Sequence, residues 1–129
     1  MSLGINCLLH ASVIVADTQQ SLHFYRDLLG LAVDESRPDL GYPGAWLNVG
    51  AQQIHLLELP NPDPVQGRPA HGGRDRHIAL AIENISVLQH TLEQANIPFT
   101  VSKSGRAALF TRDPDGNALE FVQAVAAAR

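Results

Sequence analysis

Apolar and polar positions alternate along 10–16, and the same alternation returns along 77–82. Side chains of a strand point to opposite faces in turn. In the first stretch His10, Ser12, Ile14 and Ala16 share one face, and Ala11, Val13 and Val15 the other. In the second, His77, Ala79 and Ala81 oppose Ile78, Leu80 and Ile82. The bulky face is expected to pack on a helix. The histidine face, lined with small residues in the second copy, leaves room beside the imidazole. Each stretch ends on a helix-capping residue, Asp17 or Asn84, 67 positions apart like His10 and His77. An internal repeat of this kind sets the fold.

The elements follow the same logic in both halves. After a lead-in over 1–5, a strand is predicted over 6–16. A helix then starts at Asp17 or Thr18 and runs to 29, with Leu22, Tyr25, Leu28 and Leu29 at helical spacing. Gly30 suits the C-terminal cap. Strands are predicted over 32–36, 45–49 and 53–59, with a loop over 38–44. The second half gives a strand over 76–82, a helix over 85–95, and strands over 99–103, 107–112 and 118–125. Asp113-Pro-Asp-Gly116 is a turn between the last two, and the alanine-rich tail is expected to fray. Between the halves, 60–75 holds four prolines and three glycines, the one break in composition. Each half therefore reads β-α-β-β-β. The fold class is α+β, with module 1 over about 5–59, a connector over 60–75 and module 2 over about 76–125.

Composition narrows the function. A net charge of −4 over 129 residues, with no basic patch, argues against nucleic acid. No apolar run approaches a membrane span, and the start of the chain lacks the regions of a signal peptide. The single cysteine, Cys7, excludes an intrachain disulfide and any Cys-rich zinc site. Its parity predicts a buried thiol. A cytoplasmic location fits.

Two more polar residues interrupt apolar strands. His55 lies between Ile54 and Leu56, and Glu120 between Leu119 and Phe121. They are 65 positions apart, close to the repeat spacing. If those apolar neighbours face the helices, His55 and Glu120 share the opposite face with His10 and His77. Three imidazoles and a carboxylate suit a divalent transition metal, Ni, Zn, Co, Mn or Fe(II). An ionised glutamate is rarely buried without a partner or a metal. His23 and His90, on the helices, read as solvated. His71 is a connector residue. Arg68, Arg74 and Arg76 precede His77 and could clamp an anionic substrate. Trp46 and Tyr42 could line a pocket, and Glu58 reads as a strand-end charge on the helix side.

His10-Ala-Ser-Val-Ile-Val-Ala-Asp17, Ser21-Leu-His-Phe-Tyr-Arg-Asp-Leu-Leu-Gly30, Gln53-Ile-His-Leu-Leu57, His77-Ile-Ala-Leu80 and Asp113-Pro-Asp-Gly-Asn-Ala-Leu-Glu120 together resemble the vicinal oxygen chelate superfamily, the glyoxalase, bleomycin-resistance and extradiol-dioxygenase group. The resemblance covers nearly the whole chain. It implies one domain of two βαβββ modules in tandem, whose curled mixed sheets form a metal-binding cleft. It implies metal ligands at His10, His55, His77 and Glu120. It also implies a small substrate with vicinal oxygens and a homodimer. In the glyoxalase and epimerase branches a metal-bound carboxylate moves a proton. Glu120 would be that base, giving a lyase or isomerase. The positions where glyoxalase I places its glutathione-binding Arg and Asn hold Ile14 and Leu59, which argues against glutathione. An extradiol-type Fe(II) dioxygenase would use His10, His77 and Glu120 alone, as fosfomycin-modifying transferases do. A drug-binding protein without catalysis would need no ligands.

Overall fold

The stretch beginning at His10 forms strand β1 (His10–Val15). The helix that follows it starts where the repeat places it. Asp17 caps it by accepting from the Gln20 N–H at 3.1 Å, and a carboxylate from the third strand after the helix joins in, with Glu58 Oε1 accepting from the Thr18 N–H at 2.7 Å. Glu58 thus lies on the helix side, as its parity predicts, and satisfies one of the donors a helix start leaves open. Helix α1 (Thr18–Leu22) does not continue as an α-helix. It widens into a π-helical turn over His23–Leu28, in which the Leu29 N–H reaches back five residues to the Phe24 carbonyl at 3.0 Å. Gly30 ends the segment at φ +79°, a backbone conformation that favours glycine.

The computed structural model describes residues 2–124. The chain divides into two units, Met1–Pro62 and Asp63–Arg129. In the first, β2 (Ala32–Val33), β3 (Gly44–Val49) and β4 (Gln52–Glu58) complete a mixed sheet of order β1-β4-β3-β2. β1 and β4 run parallel and the other pairs antiparallel. Val15, Leu47, Ile54 and Leu56 of the sheet and Leu22, Phe24 and Tyr25 of the helix are buried, each side chain contributing roughly 1.5–3 kcal/mol.

The second unit repeats the plan. A 3₁₀ turn over Gly72–Arg74 leads into β5 (His77–Ile82). Helix α2 (Ile85–Gln94), capped by Asn84 accepting from the Ser86 N–H, buries Leu88 and Leu92, one turn apart. Strands β6 (Phe99–Val101), β7 (Ala108–Arg112) and β8 (Ala118–Gln123) give the order β5-β8-β7-β6. Leu109, Leu119 and Phe121 are buried in the sheet. Asn96 (φ +56°) ends the helical stretch where Gly30 does in the first unit. The pairing registers match as well: Ser12 opposes His55 as Ala79 opposes Glu120.

Several boundaries differ from expectation. Residues 6–9 are not strand. The last ladder bond runs from the Gln53 N–H to the Leu9 carbonyl, and β4 begins at Gln52 after the Gly50 turn, so residues 6–8 meet no ladder partner among the described residues, the Leu8 carbonyl accepting from the Gln52 side chain instead. Cys7 is consequently exposed rather than buried. The strand expected over 32–36 shrinks to two residues, because Asp34 turns to cap Ser36. Of the strand expected over 118–125, Val125 lies outside the described residues, as does most of the alanine-rich tail. Among the described residues no helix is long and apolar enough to cross a membrane.

Candidate active site

The residues singled out from the sequence come together in two pairs, one in each unit. In the first unit the rings of His10 and His55 stack, with centroids 3.8 Å apart and planes 12° from parallel. Trp46, directly opposite His55 in the β3–β4 register, stacks on the other side at 4.5 Å. His55 is thus a buried ring held between two others. Burial pushes its pKa below the ordinary imidazole value, helped by the nearby His10 and Arg37 and opposed by Asp34. The hydrogen bonds also assign its protons. The Gln53 amide nitrogen donates to Asp34 Oδ2 at 2.8 Å and to Asn48 Oδ1 at 2.9 Å. Gln53 Oε1 is therefore the atom 2.8 Å from His55 Nε2, so that nitrogen carries the proton and Nδ1 keeps the lone pair.

In the second unit, His77 Nδ1 lies 2.9 Å from the Asp75 carbonyl. A carbonyl only accepts, so Nδ1 is protonated and Nε2 is left to face Glu120, with Oε1 at 3.3 Å. Glu120 is 5 % exposed. Its other oxygen accepts from Arg106 Nη2 at 2.8 Å. Phe110, opposite Glu120 in the β7–β8 register, meets His77 edge to face at 5.2 Å and His71 at 4.7 Å. His71 Nδ1 is 2.6 Å from Thr100 Oγ1. Gly72 lies against Phe110 and Ala118, so close that a Cβ there would come within 3.4 Å of both side chains. A cavity of about 340 Å³ opens on this unit between connector and sheet, lined by Val65, Ala70, Gly72, Thr100, Phe110 and Arg112 among others.

The connector holds itself in place through a buried carboxylate. Asp75 accepts a bidentate pair from Arg68, Nε at 2.7 Å and Nη2 at 2.6 Å, and a third bond from Arg112 Nη1 at 2.8 Å. Arg112 also donates to the Pro69 and Gly116 carbonyls. These guanidinium contacts, that of Arg68 first, hold the Asp75 carboxyl well below the usual carboxylate range. Of the arginines expected near substrate, Arg68 is engaged in this clamp, Arg76 pairs with Asp63 at 2.7 Å, and Arg74 is exposed on the 3₁₀ turn. His23 and His90 are exposed.

The second-unit pair fits a metal. Two donor atoms each about 2.1 Å from a shared ion, at octahedral to tetrahedral angles, stand roughly 3.0–3.4 Å apart. His77 Nε2 and Glu120 Oε1 meet that spacing, and the Asp75 carbonyl orients the imidazole as second partners of ligating histidines commonly do. In the first unit His10 is exposed on the same face as His55. His55 would present Nδ1, or release Gln53 to present Nε2. Among the described residues no group of three or more such side chains stands together.

Four contributors escaped the sequence reading. Gln53 and Phe110 lie by strand parity on the faces that carry His55 and Glu120, and that signal was available. Asp75 and Arg106 lie in loops, where parity says nothing.

Residues 8–121 match the family model of the Glyoxalase/Bleomycin resistance protein/Dioxygenase superfamily, and the chain belongs to that family. It is 32% identical over 124 residues to Glyoxylase I 4 of Arabidopsis thaliana, covering 92% of this chain and 71% of that protein. It is 28% identical over 130 residues to lactoylglutathione lyase of Salmonella typhimurium, covering 95% and 96%. The crystal structure of a glyoxalase family protein from Bacillus anthracis superimposes with a TM-score of 0.80 at 21% identity, over 97% of this chain and 100% of that one. This likeness bears out the α+β fold of two tandem βαβββ modules.

Proposed function

We propose that the chain is a divalent-metal-dependent lyase or isomerase that moves a proton on a small substrate with vicinal oxygens. His10, His55, His77 and Glu120 would hold the metal, and Glu120 would be the base. The observation that carries this reading is the pair His77 Nε2 and Glu120 Oε1, 3.3 Å apart with the imidazole oriented by the Asp75 carbonyl. The names of the relatives, a glyoxylase and a lyase, agree with it. The metal, when bound, supplies Lewis-acid polarisation of the substrate oxygens. The chain supplies the rest. Glu120, buried beside Phe110, takes a proton on one carboxylate oxygen and returns it. Arg74, Arg76 and Trp46 remain candidates for contact with substrate, and Arg68 for holding the connector against it. Ile14 is half-buried and Leu59 exposed where a glutathione-binding Arg and Asn would be needed, so the substrate need not be a glutathione adduct.

One observation favours a second reading. His55 Nε2 is engaged by Gln53, which suits a three-ligand site of His10, His77 and Glu120, as in an extradiol-type Fe(II) dioxygenase. Elemental analysis of protein purified without chelator separates the two. Ni, Zn, Co or Mn, with proton exchange that proceeds without oxygen, is the expected result. Stoichiometric iron with oxygen uptake on catechols would replace it. A protein that stays metal-free after reconstitution would be a binding protein. His55→Ala sharpens the choice: metal affinity should fall about tenfold or more if His55 is a ligand, and hold if it only stacks.

The active form would be a homodimer. Leu3, Ile5, Leu8 and Leu9 precede β1 and are exposed, Leu3 to 89 % and Leu9 to 70 %, and a run of large apolar side chains on a surface marks an interaction site. Sedimentation should find the wild-type chain at twice its 13.9 kDa mass. The double variant Leu8→Ser, Leu9→Ser should shift toward monomer. An unchanged dimer would remove this arm from the interface.

A further inference from the structure

We propose that Arg106 holds the metal's place on Glu120, and that the metal releases it to bind an anionic group of the substrate. The inference rests on the metal reading above and names a substrate class for it: molecules that chelate through vicinal oxygens and carry a separate carboxylate.

The contact itself is unequal. Glu120's side chain is 6 % exposed, whereas that of Arg106 is 57 % exposed, with only its tip against the carboxylate. A buried carboxylate needs a charged or hydrogen-bonding partner. Here that partner is a long, mostly solvated side chain from a loop, which can leave at little cost. Arg106 Nη2 takes Oε2 at 2.8 Å while His77 Nε2 stands at Oε1. A divalent cation between His77 and Glu120 would satisfy the carboxylate and repel the guanidinium. The two cations compete for one anion.

The loop is built to keep the released arginine nearby. Arg106 Nε donates to Ser104 Oγ at 3.2 Å, and Ser104 Oγ lies 2.7 Å from Ser102 Oγ. Gly105, at φ +83°, makes the turn between them. The tether leaves the guanidinium at the rim of the site rather than loose in solvent. Residues 97–112 contain Lys103, Arg106 and Arg112 and no carboxylate, in a chain of net charge −4. Arg112 is engaged by Asp75. The freed guanidinium therefore has no acidic neighbour on its own hairpin to capture it. A guanidinium fork binds carboxylates bidentately, so an anionic arm of the substrate is its natural partner.

The test compares wild type, Arg106→Ala and Arg106→Lys after chelator treatment. Mn(II) affinity is measured by calorimetry. Water-proton relaxation of the Mn(II)-loaded proteins then reads the binding of malate against 2-hydroxybutyrate, two 2-hydroxy acids that differ by one carboxylate. Arg106→Ala should bind Mn(II) about two- to fivefold tighter, the worth of losing an exposed ion pair. Wild type should prefer malate by roughly tenfold, and Arg106→Ala should lose that preference. Arg106→Lys, which keeps the charge without the fork, should fall between. Unchanged or weaker Mn(II) binding in Arg106→Ala overturns the place-holding role. Persistent malate preference overturns the anion role. If wild type takes up neither Mn(II) nor Ni, Zn, Co or Fe(II), the metal reading itself fails and this inference falls with it.

Discussion

A His77→Ala protein should emerge from chelator-free purification with less than about a tenth of the wild-type metal content. Removing the partner of a ligating histidine commonly costs 10–100-fold in affinity, so removing the ligand should cost at least about 100-fold. Among the described residues the geometry gives His77 no understudy. Its Nε2 stands 3.3 Å from Glu120 Oε1, and the neighbouring His71 is turned to Thr100 instead. His90→Ala, on the exposed side of α2, is the matched control and should keep its metal. Equal metal in His77→Ala and wild type would take His77 out of the site and leave the assignment without its main support.

Asp75→Asn should be the most destabilising polar substitution in the second unit. The carboxylate's side chain is 7 % exposed and receives three charged hydrogen bonds, two from Arg68 and one from Arg112. Breaking a buried pair costs 3–5 kcal/mol, but both arginines keep part of their surface in water, so about 2 kcal/mol is expected. That corresponds to a fall of roughly 5–10 °C in melting temperature. The pH dependence has a definite sign. Asp75's folded-state pKa is depressed, first by its hydrogen bonds to Arg68. Its stabilisation is therefore complete above the unfolded carboxyl's value near 4 and disappears as pH falls through and below it. Urea titrations at pH 7 and along the acid limb should show the loss, with a shallower acid limb in the Asn variant. A change under about 0.5 kcal/mol at pH 7 would mean that the clamp is ornamental. Because the Asp75 carbonyl also lies 2.9 Å from His77 Nδ1, metal affinity measured on the same variant reports whether the connector's anchoring reaches the proposed ligand.

The sheets were legible because alternation is a strong signal. Strand parity and the repeat put His10, His55, His77 and Glu120 on the faces away from the helices. That His10 neighbours His55, and His77 neighbours Glu120, follows from the pairing of β1 with β4 and of β5 with β8, which parity does not encode. Parity also carried Glu58 to the helix side, though not its bond to the Thr18 N–H. What failed was the extent of strands. Cys7, Leu8 and Leu9 run apolar into the strand that follows, yet pairing depends on whether β4 is long enough to meet them, which no local pattern encodes. The buried reading of Cys7 failed for that reason alone. The loop contributors, Asp75 and Arg106, were illegible because their roles arise from where a guanidinium or a carboxylate lands after the chain has folded.

The widened turn over His23–Leu28 has a bearing on how such a molecule tolerates change in length. Asp17 and Asn84, at the helix starts, are 67 positions apart, whereas Gly30 and Asn96, at the ends, are 66 apart. The first half therefore carries one residue more than its counterpart in this stretch, and the π-helical turn is where it is stored. An inserted residue in either strand of the β1–β4 pair would slip His10 or His55 to the opposite face. Lodged in the helix, it leaves the strand register untouched. The helices thus act as the molecule's expansion joints, and a chain shortened by one residue there should rebuild an ordinary α-helix while keeping its histidines in line.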